Sequence, residues 1–265
     1  MSVVLEFDEE NSVKTGVCTL ILDAPDRLNA LTEDLGAALE IHAKNLSQDP
    51  DIKAVILTGR GRAFSAGGDL AFLADRAADT PSANSARMRA FYQRYLSIRA
   101  IGVPVIAAVN GAAIGAGACL AMACDLRVVA SEAPIGFTFV GLGLHPGMAG
   151  TFTLPRVAGR ELATSLLLTG EPITGREACE RGLALDHAPA EQVLPRARAI
   201  ARTIARKAPL AVRHTLATLR AAEDEGLARA LQREADAQAQ SYASEDLREG
   251  IAALREKRPP VFTGR

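Results

Sequence analysis

Residues 104–125 read Pro104-Val-Ile-Ala-Ala-Val-Asn-Gly-Ala-Ala-Ile-Gly-Ala-Gly-Ala-Cys-Leu-Ala-Met-Ala-Cys-Asp125. Val105–Val109 is an unbroken apolar run of strand length, the pattern of a strand covered on both faces. A glycine-rich loop follows, and Gly115–Cys124 reads as a short helix. The same order recurs upstream. There Ala54–Thr58 is a strand, Arg62-Ala-Phe-Ser-Ala-Gly-Gly-Asp-Leu70 is the loop, and a helical stretch with Asp69 as its N-cap comes next. Val17–Leu22 and Leu126–Ala130 are further apolar runs of strand length. Between the first two strands, Thr32–Gln48 carries Leu35, Leu39, His42 and Leu46 on one stripe. Thr32 serves as its N-cap, and Asp49-Pro50 ends it. A charged helix is expected around Arg87–Ala100. The N-terminal portion is therefore β/α.

After Gly143 the character changes. Gly150–Leu168, Glu191–Arg206, Leu210–Glu225, Leu227–Tyr242 and Glu245–Lys257 all read as helices, and Thr174-Gly-Arg-Glu177 is a capping box opening another. The expected organisation is a β/α core over 1–200 and a helical region over 201–265.

Composition narrows the function classes. Hydrophobic residues make up 48% of the 265 residues and charged residues 23%, so there is ample apolar surface for a globular core. Basic and acidic residues number 30 and 31, which leaves no global field to hold nucleic acid. There is no Trp and aromatics are 4%, too few for a surface that stacks unpaired bases. No apolar run approaches the ~20 residues of a membrane helix, and the acidic start of the chain lacks a secretory pattern. A cytoplasmic protein is expected. Cys18, Cys119, Cys124 and Cys179 form no C-x-x-C pair, so neither a zinc site nor a disulfide framework is indicated.

The two glycine-rich loops are where chemistry is expected. Each follows a strand and opens a helix. Glycine lets backbone approach a ligand closely, and a helix start supplies free N–H donors at the positive dipole end. Two such loops converging would hold an oxyanion; the plainer alternative is a pair of tight turns. Commoner motifs do not fit. Gly115-Ala-Gly117 lacks the third glycine of a dinucleotide fingerprint, and Ala63 breaks a G-x-S-x-G elbow around Ser65.

An ordered set of short motifs then carries a resemblance. Leu28-Asn-Ala-Leu31, Ala63-Phe-Ser-Ala-Gly-Gly-Asp-Leu70, Pro104-Val-Ile-Ala-Ala-Val-Asn-Gly111 and Gly115-Ala-Gly117 come first. Leu120-Ala-Met-Ala-Cys-Asp125, Pro146-Gly-Met-Ala-Gly-Thr151, Leu168-Thr-Gly170 and Glu256-Lys-Arg-Pro-Pro-Val-Phe-Thr-Gly264 complete it. Almost end to end, the chain resembles the crotonase (enoyl-CoA hydratase/isomerase) superfamily. The resemblance implies an α/β fold, a spiral of ββα turns with a C-terminal helical trimerisation region. It implies a homotrimer or dimer of trimers, and an acyl-CoA thioester as substrate. No permanently bound cofactor or metal is implied; coenzyme A enters as part of the substrate. The thioester oxygen would lie between the N–H groups of Ala66 and Ala116. Arg27, Leu28, Ala30, Phe64, Gly67, Gly68, Asp69, Leu70, Gly115, Cys119, Phe139 and Phe262 would contact substrate. Arg27 either reaches a CoA phosphate or is a solvated loop arginine.

The chain departs from the hydratase pattern at its two glutamates. Cys119 stands at the first position and Phe139 at the second, and Ala133–Leu154 contains no Asp or Glu. Plain hydration is therefore not expected. His145 is the only ionisable residue in that interval, and an imidazole near neutral pH suits proton transfer; the alternative is a loop histidine without ligand contact. Cys119 reads as a buried, inert thiol or a nucleophile. Three readings follow: an enolate-forming enzyme such as a decarboxylase, C–C hydrolase or thioester hydrolase using His145; an acyl-CoA binder without turnover; and a hydratase or isomerase with substitute groups.

Overall fold

In a computed structural model, which describes residues 2–10, 12–224 and 227–261, the chain opens with β1 (Ser2–Glu10) and β2 (Val13–Asp23). Then come α1 (Glu33–Gln48), β3 (Ala54–Gly59), β4 (Ala63–Ser65), α2 (Leu70–Arg76) and α3 (Pro81–Leu96). The next turn is β5 (Val105–Val109), β6 (Ala112–Ile114) and α4 (Ala116–Ala123). After it come β7 (Leu126–Ala130), β8 (Pro134–Gly136), α5 (Gly150–Ala158) and α6 (Arg160–Thr169). The chain continues with β9 (Ile173–Thr174), α7 (Gly175–Glu180), β10 (Asp186–Ala188) and α8 (Ala190–Ala205). It ends in α9 (Pro209–Asp224), α10 (Leu227–Ala243) and α11 (Glu245–Glu256).

Each central turn gives one strand to each of two sheets, which is the expected spiral. The larger sheet runs β1-β2-β3-β5-β7-β10, parallel except for the β1–β2 hairpin. The smaller runs β4-β6-β8-β9, with β9 antiparallel. Alternate residues of a strand face opposite sides. Leu20, Leu22, Val55, Leu57, Val105 and Ala107 accordingly enter one core, while Val17, Ile56, Ile106, Ala108 and Val128 enter another. The second core is closed by Val193, Ala197, Ala201 and Ala205 of α8. That two-sided cover is why these strands are apolar without alternation.

The capping readings hold: Thr32 accepts from the Leu35 N–H, and Thr174 and Glu177 form the capping box of α7. Two helices differ from expectation. Gly150–Leu168 is two helices because Gly159 adopts φ +78° between them. The charged helix starts earlier, at Pro81, because Thr80 caps it. The strands β4, β6 and β8 were not anticipated: each has three residues, too few to show a period. The C-terminal helices are packed against the spiral, with α10 lying along α3 and touching α2 and α5. Among the described residues, no helix is long and apolar enough to cross a membrane.

Neighbouring strands β4 and β6 bring the loops that follow them together. A Cβ on Gly117 would lie 2.6 Å from the Ser65 carbonyl oxygen and 2.8 Å from the Ser65 Cβ. Both neighbours are fully buried strand atoms with no room to yield. Gly117→Ala should therefore lower unfolding free energy by about 1–3 kcal/mol, the usual penalty for overpacking. Urea denaturation reads this directly, and an unchanged midpoint would show that the two loops separate easily.

Candidate functional site

The upper loop leaves β4 at Ser65 and enters α2 at Leu70. Asp69 is its N-cap, accepting from the N–H groups of Ala71 and Phe72 at 3.1 Å. Gly67 adopts φ +90°, and a Cβ there would stand 2.6 Å from the Ile114 oxygen and 3.5 Å from the Ala116 nitrogen. The lower loop leaves β6 at Ile114, turns at Gly115 (φ +53°) and opens α4 at Ala116. The first donor of the α4 ladder is the Cys119 N–H, which meets the Gly115 carbonyl at 3.1 Å. The Ala116 N–H therefore has no acceptor within the helix.

Ala66 differs from expectation. Its N–H donates to the Leu28 carbonyl at 2.9 Å, so that donor is already engaged. The cause is local. Leu28 and Asn29 both adopt left-handed backbone, φ 51° and 54°, which turns the Leu28 carbonyl towards β4. The Asn29 side chain locks the turn, accepting from the Ala24 N–H at 2.9 Å and donating to the Ala63 carbonyl at 2.8 Å. Ser65 Oγ donates to the Asn29 carbonyl at 2.8 Å.

The loops border a cavity of about 640 Å³, closed on its far side by α3, α10, α11 and the segment 138–148. Of the residues expected at a ligand, Arg27, Ala30, Ala66, Gly67, Gly68, Asp69, Leu70, Gly115, Ala116 and Phe139 line it. Leu28 does not; its role is the turn. Phe64 and Cys119 are wholly buried in the core beside the cavity rather than in its wall. Phe262 lies outside the described residues. Arg27 is an exposed residue of the cavity rim, where its guanidinium pairs with Asp69.

His145 is not in the wall either. Its Nδ1 lies 2.7 Å from the Pro146 carbonyl, which can only accept, so that nitrogen carries the proton. Burial pushes its pKa below the usual imidazole value. The ring is tied to its own loop, and His145, read from the sequence as a proton carrier, is not among the residues lining the cavity. Burial and the nearby Glu234 carboxyl push the Cys119 thiol far up, which leaves it an inert core group.

The polar groups of the far wall come instead from α3 and α10. Tyr92 donates its hydroxyl hydrogen to Gln238 Oε1, and Gln238 Nε2 donates to the His145 carbonyl at 2.9 Å. Tyr242 reaches the Met88 sulfur at 3.4 Å. One turn before Gln238, the buried Glu234 caps α5, accepting from the N–H groups of Ala149 at 2.8 Å and Thr151 at 2.9 Å and from the Thr151 hydroxyl. Sequence reading missed this face. Its signal was Ala235, Ala239 and Tyr242 as a buried stripe with Glu234 and Gln238 at its edge. Among the described residues, no group of His, Cys, Asp and Glu could hold a metal ion.

Burial outweighs the three donors and raises the Glu234 carboxyl to about 7. A carboxyl whose folded pKa exceeds its unfolded value stabilises the fold fully below the unfolded value, near 4.5, and loses that contribution as pH rises through about 7. Unfolding free energy should fall by about 2.5 kcal/mol between pH 5 and pH 8 on this account. Glu234→Gln, which cannot ionise, should flatten that slope. Denaturant melts at both pH values test this, and an identical slope in the variant would assign the pH dependence elsewhere.

Comparison with known proteins agrees with the fold. The family model for enoyl-CoA hydratase/isomerase matches residues 12–265. A crotonyl-CoA hydratase of Syntrophomonas wolfei is 38% identical over 264 residues, covering 98% of this chain and 97% of the relative. A 1,2-epoxyphenylacetyl-CoA isomerase of Escherichia coli is 36% identical over 257 residues, covering 96% and 97%. The crystal structure of an enoyl-CoA hydratase/isomerase from Pseudoalteromonas atlantica superposes with a TM-score of 0.86 at 30% identity, covering 99% of this chain and 100% of that one. The chain belongs to the enoyl-CoA hydratase/isomerase family of the crotonase superfamily.

Proposed function

We propose that the cavity takes an acyl-CoA thioester and stabilises its enolate, in a reaction other than plain hydration. The observation that carries this is the Ala116 amide, a helix-start donor in the cavity wall. A preorganised N–H at the positive end of a helix is worth most where negative charge develops in a dry site. The Ala66 N–H borders the same space. It becomes the second donor by exchanging the Leu28 carbonyl for the thioester oxygen, one hydrogen bond for another. The adenosine and phosphates of CoA would lie outward, past the Arg27–Asp69 pair.

The two hydratase positions support the negative half of the proposal. Cys119 is buried and Phe139 presents a phenyl ring, so neither orients a water. Enolate chemistry that begins by losing a carbon fragment, such as decarboxylation or C–C cleavage, asks more of the oxyanion donors than of paired carboxylates. Binding without turnover is the second reading, favoured by the same two residues. Mass spectrometry of CoA thioesters with and without protein separates the two. The protein assembles as a trimer or a dimer of trimers in this proposal, supported by Leu210 and Leu219, which α9 leaves 70% and 61% exposed. Light scattering at micromolar concentration should give three or six times the chain mass; a monomer would count against it.

Crotonyl-CoA hydration should be absent or several orders of magnitude below that of an enzyme with two carboxylates, because each positioned acid or base contributes about 10²–10⁴-fold. Proline is tolerated at the first helical position, so Ala116→Pro should fold while deleting the donor, weakening thioester binding about tenfold. Calorimetry on the parent protein is decisive: no affinity for any acyl-CoA would end the proposal.

A further inference from the structure

The cavity walls are mostly apolar, with Phe72, Leu73, Met88, Phe91, Leu142 and Met148 among them. Tyr92 and Gln238 interrupt this surface. Both line the cavity, yet they are only 2% and 3% exposed. Burying a phenol and an amide against hydrocarbon costs free energy unless their hydrogen bonds are made.

Their bonding is partly made, and its directions are fixed. The His145 carbonyl only accepts, so it holds Gln238 Nε2 and turns Oε1 towards Tyr92. That spends the phenol hydrogen and one amide hydrogen. The second amide hydrogen and the Tyr92 oxygen lone pairs remain, one donor and one acceptor side by side. Both atoms abut Gly147, where a Cβ would stand 2.5 Å from the Tyr92 oxygen and 2.7 Å from Gln238 Nε2. Any side chain at 147 would crowd or cover the pair. Burial also raises the Tyr92 pKa, so the phenol stays neutral.

We infer that Tyr92 and Gln238 form a polar subsite for a neutral oxygen carried by the acyl group, so that the protein selects oxo- or hydroxyacyl thioesters over plain alkanoyl ones. The inference rests on the acyl-CoA reading above. A ketone would accept from the Gln238 amide, and a hydroxyl would also donate to the Tyr92 oxygen. An alkyl chain would leave the second amide hydrogen and the phenol lone pairs without a partner, and leaving buried hydrogen-bonding capacity unmet is how such sites reject the wrong ligand. The Tyr92–Gln238 bond would orient the pair as Glu234, one turn earlier on α10, anchors that helix to α5.

The test is titration calorimetry on the full chain with hexanoyl-CoA, 3-oxohexanoyl-CoA, 5-oxohexanoyl-CoA and 3-hydroxyhexanoyl-CoA. At least one oxygenated ligand should bind about tenfold more tightly than hexanoyl-CoA, the worth of one well-made hydrogen bond. In Tyr92→Phe and, independently, in Gln238→Met, that ratio should collapse towards one. Two variants on different helices guard against one failing to fold. Equal binding of all four ligands by the parent protein would overturn the inference and leave the acyl-CoA reading standing. A preference that survives in both variants would overturn it too. Binding of none would remove both.

Discussion

The contact on which the rest depends is the meeting of two backbones. Gly67 lies against the Ile114 carbonyl and Gly117 against the Ser65 carbonyl, each closer than any side chain permits. This interlock needs β4 and β6 to be neighbours, which in turn needs the chain to alternate between two sheets at every turn. The large sheet supplies that alternation by being buried on both faces, and α8 is what buries the second. Hydrophobic burial thus sets the spiral, the spiral sets the loop spacing, and the loop spacing puts a helix-start amide beside a cavity.

The same chain of causes explains what could be read from sequence. β5 and β7 were legible to the residue because continuous apolar runs have one good interpretation when flanked by glycine and helix starts. Thr32, Asp69 and Thr174 were legible because capping is local chemistry, decided within about four residues. The loops were legible for the same reason. What Ala66 donates to was not, because the answer depends on the left-handed turn at Leu28 and Asn29, far away in sequence. That His145 stands apart from the cavity wall was hidden for a related reason. Being the sole ionisable group in an interval says nothing about direction, and its ring is held by the adjacent Pro146 carbonyl.

Tyr92, Gln238 and Glu234 escaped sequence reading altogether. Their partners lie on other elements: Gln238 meets Tyr92 across 146 positions, and Glu234 meets Ala149 across 85. Each sits in a helix whose own pattern shows only an apolar stripe. Packing α10 along α3 converts edge-of-stripe residues into cavity wall and cap. Side chains on a helical face recur at i and i+4, so Glu234, Gln238 and Tyr242 arrive together once one of them is placed.

The electrostatic character of the cavity follows from this arrangement. Its ionisable rim residues, Arg27 and Asp69, neutralise each other. Its floor groups are a phenol and an amide, both neutral, and the one buried carboxyl nearby spends its oxygens capping α5. In the proposed reading, an enolate formed deep inside meets no unpaired charge among the described lining residues, since Arg27 and Asp69 pair with each other at the rim. What it meets is the dipole end of α4. In a low-dielectric chamber an oriented N–H is stronger than in water, and it needs no reorganisation when charge appears. In the proposed reading, a site of this kind favours a reaction whose difficulty is charge on the thioester oxygen. On the same reading it is poorly suited to one whose difficulty is extracting a proton from water, because Cys119 offers a thiol pushed far up in pKa and Phe139 a phenyl ring.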